Sequence, residues 1–193
     1  MSSSFDFVLK MPTTALYPTP VVLVTCVEDS GRPNIITLAW VGVVCSEPPQ
    51  IGIAIRPGRY SYPIIDKTKE FVAAIPTEDM LQVVDVCGTV SGRKVDKFKH
   101  VGLTPVAASK VRPPLIGECP VNLECVVKHK LALGTHDLFV GEVVAVQVSR
   151  SVLDAKGNVD LEKVRPLGYG LGYYARLGGK LQPLGFSARK KQP

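Results

Sequence analysis

The sequence has none of the familiar signatures of catalysis by protein side chains. Its 193 residues contain no G-x-S-x-G nucleophile motif, no Walker loop and no H-E-x-x-H zinc motif. None of its three histidines lies in an evident nucleophile–base motif. These absences argue against hydrolysis by a side-chain nucleophile. They favour chemistry in which a cofactor does the reactive work and the protein binds and orients it.

Cysteine is scarce and unpatterned. The five cysteines are an odd number, are scattered along the chain and form no C-x-x-C pair, which favours reduced thiols over a disulfide framework. His100, His129 and His136 stand at no recognisable metal-ligand spacing from one another or from the cysteines. We therefore predict no metal site and a cytoplasmic, reducing environment.

Long apolar runs are also missing. No run approaches the roughly 18 apolar residues that a membrane helix needs. The segment Phe5–Leu9, which Asp6 interrupts, is too short for a signal-peptide core. We expect a soluble protein without a membrane partner.

The charge is moderately basic. The sequence has 23 Lys and Arg against 17 Asp and Glu, a net charge of +6, which permits an anionic partner without identifying one. Part of the excess lies in Arg189–Lys191, within a C-terminal tail over residues 186–193 that we expect to be flexible. Charge alone leaves nucleic acid open. Because the sequence has no recognition-helix, zinc-finger or RNP-type pattern, we expect no nucleic acid partner.

Hydrophobic residues make up 46% of the chain and follow a mainly β pattern. Continuous and alternating apolar stretches predict several strands, and a hairpin turn precedes Arg32, but only short helices are indicated, near Ser61, Thr77 and Asp96. The predicted strands include Val21–Val27, Gln50–Ile55, Glu70–Ile75, Val121–Lys128 and Leu138–Val148. No repeat or internal linker divides the chain. We predict a single domain over residues 1–193, an antiparallel β-barrel of Greek-key type.

The stretch from Asn34 to Pro49 combines apolar residues with polar ones and with the only tryptophan, Trp40. We interpret it as a buried β-ribbon whose Asn34, Thr37 and Ser46 side chains need partners, because an unsatisfied buried polar group costs about 1–3 kcal/mol. One interpretation is a strand end with satisfied turn residues. The other is a groove for a flat ligand with polar edges. This stretch alone does not separate the two.

Two basic segments are candidates for anion binding. Arg56–Ser61 places two guanidinium groups and a hydroxyl where a strand turns into a helix, a place where phosphate binds readily. The alternative makes Ser61 an N-cap and the arginines surface charges. In Ser91–Phe98, glycine permits close backbone approach and Lys97 can reach an anion as a point charge. The alternative there is a solvated basic loop.

Gly168–Gly172 resembles a nucleotide-binding glycine motif only superficially, because its spacing is not G-x-G-x-x-G and no helix pattern follows. We interpret Tyr169, Tyr173 and Tyr174 as packing or stacking rings. His136 lies in a turn between two strands, where a histidine is more often structural than catalytic.

Taken in order, the motifs resemble the flavin reductase-like proteins with an FMN-binding split barrel, most closely the flavoredoxin branch. The resemblance runs from about Thr19 to Tyr174. The matching segments are Asn34–Thr37 with Trp40 and Ser46–Pro49, Arg59–Ser61, Ser91–Gly92 with Asp96–Phe98 and Gly102–Thr104, Leu123–Cys125, and Gly134–Val143.

The resemblance implies a six-stranded antiparallel Greek-key split β-barrel with a few short helices and a core over residues 19–174. It also implies a homodimer with one FMN per subunit near the dimer interface. By position, the residues that would follow the flavin ring and ribityl chain are Asn34, Thr37, Leu38, Ala39 and Ser46. Those assigned to the phosphate and its approach are Arg59, Ser61 and Lys97. Ser91 is assigned to the cofactor without a more specific role. Trp40, His136 and Tyr169 would line the flavin pocket, with Trp40 and His136 as the catalytic candidates.

The function that this resemblance implies is that of an FMN-dependent NAD(P)H:flavin oxidoreductase. Such a protein takes hydride from NAD(P)H and passes electrons to free flavin, a redox partner protein or a flavin-dependent monooxygenase. A flavoredoxin-type electron carrier without strong NAD(P)H activity is the first alternative. A non-catalytic FMN-binding module is the second.

Overall fold

The structure, a computed structural model, describes residues 6–188. Within them the chain forms twelve strands and four α-helices. The strands are β1 (Thr19–Pro20), β2 (Val22–Val27), β3 (Pro33–Leu38), β4 (Val41–Ser46), β5 (Pro49–Ile55), β6 (Glu70–Ile75), β7 (Pro105–Val106), β8 (Leu115–Ile116), β9 (Val121–Ala132), β10 (Asp137–Val148), β11 (Leu167–Gly170) and β12 (Tyr173–Arg176). The helices are α1 (Ser61–Thr68), α2 (Leu81–Thr89), α3 (Lys97–Val101) and α4 (Leu161–Val164), and 3-10 turns span Glu78–Met80, Arg150–Val152 and Phe186–Ala188.

Seven of these strands form one antiparallel sheet in the order β3-β2-β6-β9-β10-β5-β4. A smaller sheet joins β1, β11 and β12, and β7 pairs with β8. The predicted mainly β fold with few short helices is confirmed. The main sheet has seven strands where six were predicted, because the polypeptide after Pro33 breaks at Ala39 into two strands, β3 and β4.

The two edge strands of the main sheet, β3 and β4, are consecutive in sequence. In a flat sheet, six spacings of about 4.8 Å would hold them about 29 Å apart. Only Ala39 and Trp40 separate Leu38 from Val41, so these ends lie within about 11 Å of each other. The sheet must therefore curl until its edges approach. Because β3 and β4 do not pair in the described part of the chain, the barrel is split, and Trp40 lies in the split.

Two apolar clusters pack on opposite faces of β2 and β3. Inside the barrel, Val24 and Ile36 pack with Ile53, Phe71 and Phe139. On the outside, a second cluster joins β2 and β3 to α2 and α3; it includes Leu23, Ile35, Val84, Cys87 and Phe98. Burial of both faces explains why β2 reads as an uninterrupted apolar run. The outer cluster also fixes α2 and α3 behind β3, beside the split.

The predicted buried ribbon is wrong beyond Trp40. Strand β4 is the edge of the main sheet, with Val43 79% and Val44 51% exposed, and Ser46 at its end is also exposed. In the described chain this strand pairs only with β5, on one side. Sequence alternation cannot show this, because an edge strand and a buried strand can carry the same valines.

The ends of the chain bear on two further expectations. Phe186–Ala188 forms a 3-10 turn, while the remainder of the tail predicted to be flexible, residues 189–193 with Arg189–Lys191, lies outside the described residues. Between residues 6 and 188, no helix combines the length and hydropathy needed to cross a bilayer.

Candidate functional site

Two cavities meet along the split and form one continuous cleft. The first, about 310 Å³, lies beside Trp40, and we name it the ring end; the second, about 220 Å³, lies beside Ser61, and we name it the anion end. Both are lined by Ile36, Arg59 and Gly88, so they are joined.

Eleven of the twelve predicted site residues line this cleft. Those at the ring end are Thr37, Leu38, Ala39, Trp40, His136 and Tyr169, and those at the anion end are Asn34, Arg59, Ser61, Ser91 and Lys97. Ser46 is the exception, because it pairs with Pro49 at the far end of β4 from Trp40 and is exposed. The structure therefore does not bring Ser46 to the cleft of its own chain.

A buried hydrogen bond joins β3 to the start of α1. Asn34 Nδ2 donates to Ser61 Oγ at 2.8 Å, and both side chains are buried. Tyr60, not Ser61, occupies the N-cap position of α1, and it makes no capping bond through its side chain. The interpretation of Ser61 as a plain N-cap is therefore wrong. Because Ser61 Oγ accepts from Asn34, this bond does not use the proton of Ser61.

Lys97 is a buried cation without a carboxylate partner in the described chain. Its side chain is 4% exposed, and Nζ donates to the carbonyls of Ile35 at 2.8 Å and Cys87 at 2.6 Å. An ammonium has three N–H donors, so one remains at the anion end. Burial lowers the pKa of Lys97; Cys87 opposes this shift and the nearby Arg59 cation adds to it. A buried charge without a counter-charge is costly, and a bound anion would remove that cost.

The other groups at the anion end are also suited to phosphate. The Arg59 guanidinium makes no hydrogen bond or ion pair within residues 6–188, and it is exposed at the mouth of the cavity. Ser91 Oγ accepts from Arg93 N at 3.3 Å, which leaves its hydroxyl proton free to donate. No acidic side chain lines this described cavity. Two cations and two hydroxyl donors without an acid are the groups that a phosphate needs.

Aromatic rings surround the ring end. The Trp40 and His136 rings are parallel, with an interplanar angle of 3° and centroids 5.9 Å apart. Tyr169, from the β11–β12 hairpin, lies 6.0 Å from Trp40 at 45°. Trp40 is 45% exposed although it is the only tryptophan. Exposed, ordered rings at the mouth of a cavity provide stacking surfaces for a flat ligand.

His136 is held as a neutral ring. Arg56 Nε lies 3.4 Å from His136 Nε2, so Nε2 acts as the acceptor and Nδ1, 3.0 Å from Thr135 Oγ1, carries the proton. Burial lowers the pKa of His136, and the Arg56 and Arg59 cations lower it further. In this arrangement His136 has no proton to deliver from Nε2. It can contribute a ring face, while its predicted catalytic role stays a prediction.

Sequence reasoning missed the part that α2 plays in shaping the cleft. Thr37 Oγ1 donates to Val84 O at 2.5 Å, which ties β3 to α2. A Cβ added at Gly88 would lie 3.3 Å from Thr37 Cβ, so the glycine permits this close approach and leaves space at the junction of the two cavities. The available signal was a glycine near the end of a helix pattern, where it lowers helix stability and often has a packing reason.

Most of the cysteines lie inside the fold. All five cysteines are free, and four are buried. Burial raises the pKa values of Cys26 and Cys125 to about 12 and that of Cys87 to about 11, so these thiols stay protonated. Within residues 6–188, no three His, Cys, Asp or Glu side chains come together to hold a metal ion.

A larger, mostly apolar groove of about 830 Å³ opens beside the ring end. It shares Ala39, Trp40, Ala54 and Tyr169 with the cleft, and the segment Thr13–Tyr17 forms its outer wall. The sequence gives no sign of this groove, because its N-terminal wall has neither helix nor strand periodicity. The groove therefore borders the cleft on the Trp40 side.

Both the sequence and the fold of this chain are similar to those of known proteins. A family profile described as the flavin reductase like domain matches residues 14–178. The flavoredoxin of Desulfovibrio vulgaris (Miyazaki F) has a similar structure, with a TM-score of 0.86 and 32% identity over 98% of this chain and 100% of that chain. The flavoredoxin from Methanosarcina acetivorans gives a TM-score of 0.85 and 29% identity over 95% and 100% of the two chains. An FMN-binding protein from Thermus thermophilus with bound 1-cyclohex-2-enone gives 0.77 and 26% over 94% and 99%.

Proposed function

This chain belongs to the flavin reductase-like family, in its flavoredoxin branch, and from that premise we propose that it is an FMN-dependent oxidoreductase. In this proposal the protein accepts hydride from NAD(P)H through FMN held in the cleft. The electrons then pass to free flavin, to a redox partner protein or to a flavin-dependent monooxygenase. The similar protein from Thermus thermophilus is an FMN-binding protein. Membership of this family supports a flavin-binding redox function.

The observation that carries the proposal is the unneutralised Lys97 at one end of a cleft that has aromatic rings at the other. A phosphate at the anion end would supply the missing counter-charge to Lys97. A flat ring at the other end would meet Trp40, His136 and Tyr169. A ligand that joins one phosphate to one planar ring system through a polar chain matches both ends at once.

Each group in the cleft has a defined part in this proposal. Lys97 and Arg59 neutralise the phosphate, and Ser61 and Ser91 donate hydrogen bonds to its oxygens. Thr37 can only accept from the ribityl chain, because its proton is already given to Val84 O. FMN, when bound, supplies the redox chemistry that no side chain here provides.

The aromatic residues orient the ring and limit access to it. Trp40 and Tyr169 border both the cleft and the larger groove, so a nicotinamide or another planar molecule in that groove would approach the ring from their side. His136, neutral and held by Arg56, keeps its position without exchanging a proton. Catalysis by this protein then consists of orientation and exclusion of water.

The experiment that tests the proposal is a spectrum followed by two titrations. We expect the purified protein to show the visible bands of oxidised flavin, or to bind added FMN and to bind riboflavin more weakly. Bleaching of the bound flavin by NADH or NADPH without oxygen would establish the donor. A colourless protein that takes up no FMN from an excess would contradict the proposal, whatever its activity with NAD(P)H.

Trp40→Ala tests the ring end separately. We expect this substitution to shift the visible flavin bands. We also expect it to weaken the binding of FMN and of riboflavin by the same factor, about 3- to 10-fold, because an aromatic contact contributes about 0.5–1.5 kcal/mol beyond its buried area. The control is Tyr173→Ala, which removes a ring that is 76% exposed and lies outside the cleft lining. An unshifted spectrum with unchanged affinities in Trp40→Ala would place Trp40 outside the flavin site.

A flavoredoxin-type electron carrier is the second candidate function. Its support is the similarity to two flavoredoxins over nearly the whole chain. The two candidates differ in the rate of reduction by NAD(P)H. Slow reduction by both nicotinamides together with fast reduction by a small redox protein would favour the carrier.

A homodimer in the cytoplasm completes the proposal. The edge strand β4 exposes Val43 and Val44, and Leu16 of the N-terminal segment is 84% exposed. Such apolar surface beside the ring end is suited to a second copy of the chain. The free cysteines suit a reducing compartment. Light scattering after gel filtration measures the mass, and a monomer at micromolar concentration would contradict the dimer.

A further inference from the structure

An arginine outside the cleft holds the loop that forms one wall of the anion end. We name residues 91–97 the anion loop, because Ser91 and Lys97 are at its two ends. Arg32 lies in the turn between β2 and β3, and its Nη2 donates to Gly92 O at 2.8 Å and to Val95 O at 3.4 Å. One guanidinium thus bonds two carbonyls of the anion loop.

The ring of Tyr60 also contacts the anion loop. Two guanidinium groups lie near the Tyr60 ring, with Arg32 5.9 Å and Arg93 5.4 Å from its centroid. The Tyr60 hydroxyl donates to Glu28, and Arg93 Nη1 lies 3.4 Å from Gly58 O. These contacts connect the anion loop to the turn before α1 and to the β2–β3 hairpin. Ser61, at the start of α1, is therefore tied to the loop that carries Lys97.

Arg32 itself does not line either cavity of the cleft. Its Nη2 donates to backbone carbonyls of the anion loop, and its Nη1 lies 3.5 Å from the Tyr60 hydroxyl. Its effect on a ligand must therefore act through these neighbours, chiefly the anion loop. This separates it from Arg59, which lines the anion end and has no partner in the described chain.

We propose that Arg32 is a positioning residue: by holding the carbonyls of Gly92 and Val95, it keeps the Ser91 hydroxyl and the Lys97 ammonium directed at the same phosphate as Ser61. The inference rests on the proposed function, since it assumes that the ligand of the anion end is the FMN phosphate. It adds a residue that sets the preference for a phosphorylated flavin over an unphosphorylated one.

Arg32→Ala is the test, because it removes the bonds to the loop carbonyls and Arg32 itself does not line the cleft. Two loop carbonyls lose their charged donor, and the loop can then move away from α1. We expect FMN binding to weaken about tenfold while riboflavin binding stays within twofold. The ratio of the two dissociation constants reports on the phosphate alone, and a general loss of stability would change both constants together.

The matched control is Arg112→Ala. Arg112 is exposed, and its Nη2 lies 3.5 Å from Glu28 O and 3.8 Å from an Asp29 carboxylate oxygen, so it contacts the same hairpin but not the anion loop. Arg112→Ala removes one positive charge, as Arg32→Ala does. We expect the ratio of its FMN and riboflavin dissociation constants to stay within twofold of the wild-type ratio. Titrations at 150 mM salt screen exposed charges beyond roughly 8 Å.

Three results are decisive. A lowered FMN-to-riboflavin preference in Arg32→Ala but not in Arg112→Ala supports the inference. An unchanged preference in Arg32→Ala, or an equal loss in both variants, overturns it while the FMN proposal stands. A wild-type protein that binds no FMN overturns the proposed function, and with it the inference.

Discussion

Replacing Lys97 with methionine is expected to weaken FMN binding about 100-fold and to leave riboflavin binding within about threefold of wild type. The lysine ammonium is buried and has one N–H left at the anion end after its bonds to Ile35 O and Cys87 O. Truncating one partner of a buried, hydrogen-bonded charge pair costs about 2–5 kcal/mol, and each 1.4 kcal/mol is about tenfold in affinity. Riboflavin has no phosphate, so it does not use this partner. Fluorescence titration of both flavins measures the two constants.

The variant also tests whether Lys97 serves the fold instead. Methionine keeps most of the side-chain volume but leaves the Ile35 and Cys87 carbonyls without their donor, which costs stability at about 1–3 kcal/mol for each buried unsatisfied group. The control is Lys94→Met, which removes an exposed lysine from the same loop. We expect Lys94→Met to bind FMN within twofold of wild type. A lower melting temperature with an unchanged FMN-to-riboflavin ratio in Lys97→Met would assign Lys97 to the fold alone.

The strands of the barrel could be predicted from the sequence because their pattern is local. Glu70–Ile75 was predicted with the bounds that β6 has, and Leu138–Val148 differs from β10 by one residue. Both are apolar runs whose period and ends are set by neighbouring residues. The β11–β12 hairpin was missed, because its glycines and tyrosines resemble a loop and its pairing partners are known only once the chain has folded.

The geometry of the cleft could not be predicted from local pattern. It depends on the order of the strands, which places β3 and β4 at opposite edges although only two residues separate them. The same order explains why Ser46 does not lie beside Asn34 and Thr37 in the cleft. Asn34 and Thr37 belong to the edge strand that α2 and α3 cover, and Ser46 belongs to the other edge strand. How far each of these three side chains is buried depends on the order of strands in the sheet and not on the local sequence from Asn34 to Pro49.

The resemblance assigned residues to a phosphate but gave no indication of how those residues are held. It assigned Arg59, Ser61 and Lys97, and the structure brings all three to one cavity. It gave no indication that Lys97 donates two hydrogen bonds to backbone carbonyls or that Arg32 bonds the anion loop. The bonds from Arg32 to Gly92 and from Lys97 to Ile35 join residues about 60 positions apart, and no spacing in a single sequence encodes them.

Gly92→Ala is expected to remove most FMN binding and to destabilise the protein, because the position has no room for a side chain. A Cβ built there would lie 2.0 Å from Asn34 Oδ1 and 2.7 Å from Tyr60 Cδ1. Tyr60 is held through its hydroxyl by Glu28, so the strain falls on Asn34 or on the anion loop. We expect FMN to bind at least 30-fold more weakly. Overpacking costs about 1–3 kcal/mol, and each kcal/mol lowers the melting temperature by about 2–4 °C in a domain of this size.

Gly58→Ala separates this steric effect from the general effect of removing a glycine. Gly58 lines the same anion end, but a Cβ added there meets no atom within 4 Å. We therefore expect Gly58→Ala to keep its FMN affinity and melting temperature. If Gly92→Ala displaces Asn34, it breaks the bond to Ser61 and moves two groups assigned to the cofactor, so both flavins bind more weakly; if it displaces the loop, FMN suffers more than riboflavin. Wild-type affinity in Gly92→Ala would mean that the anion loop yields without cost, and the tight wall inferred for this cavity would then be wrong.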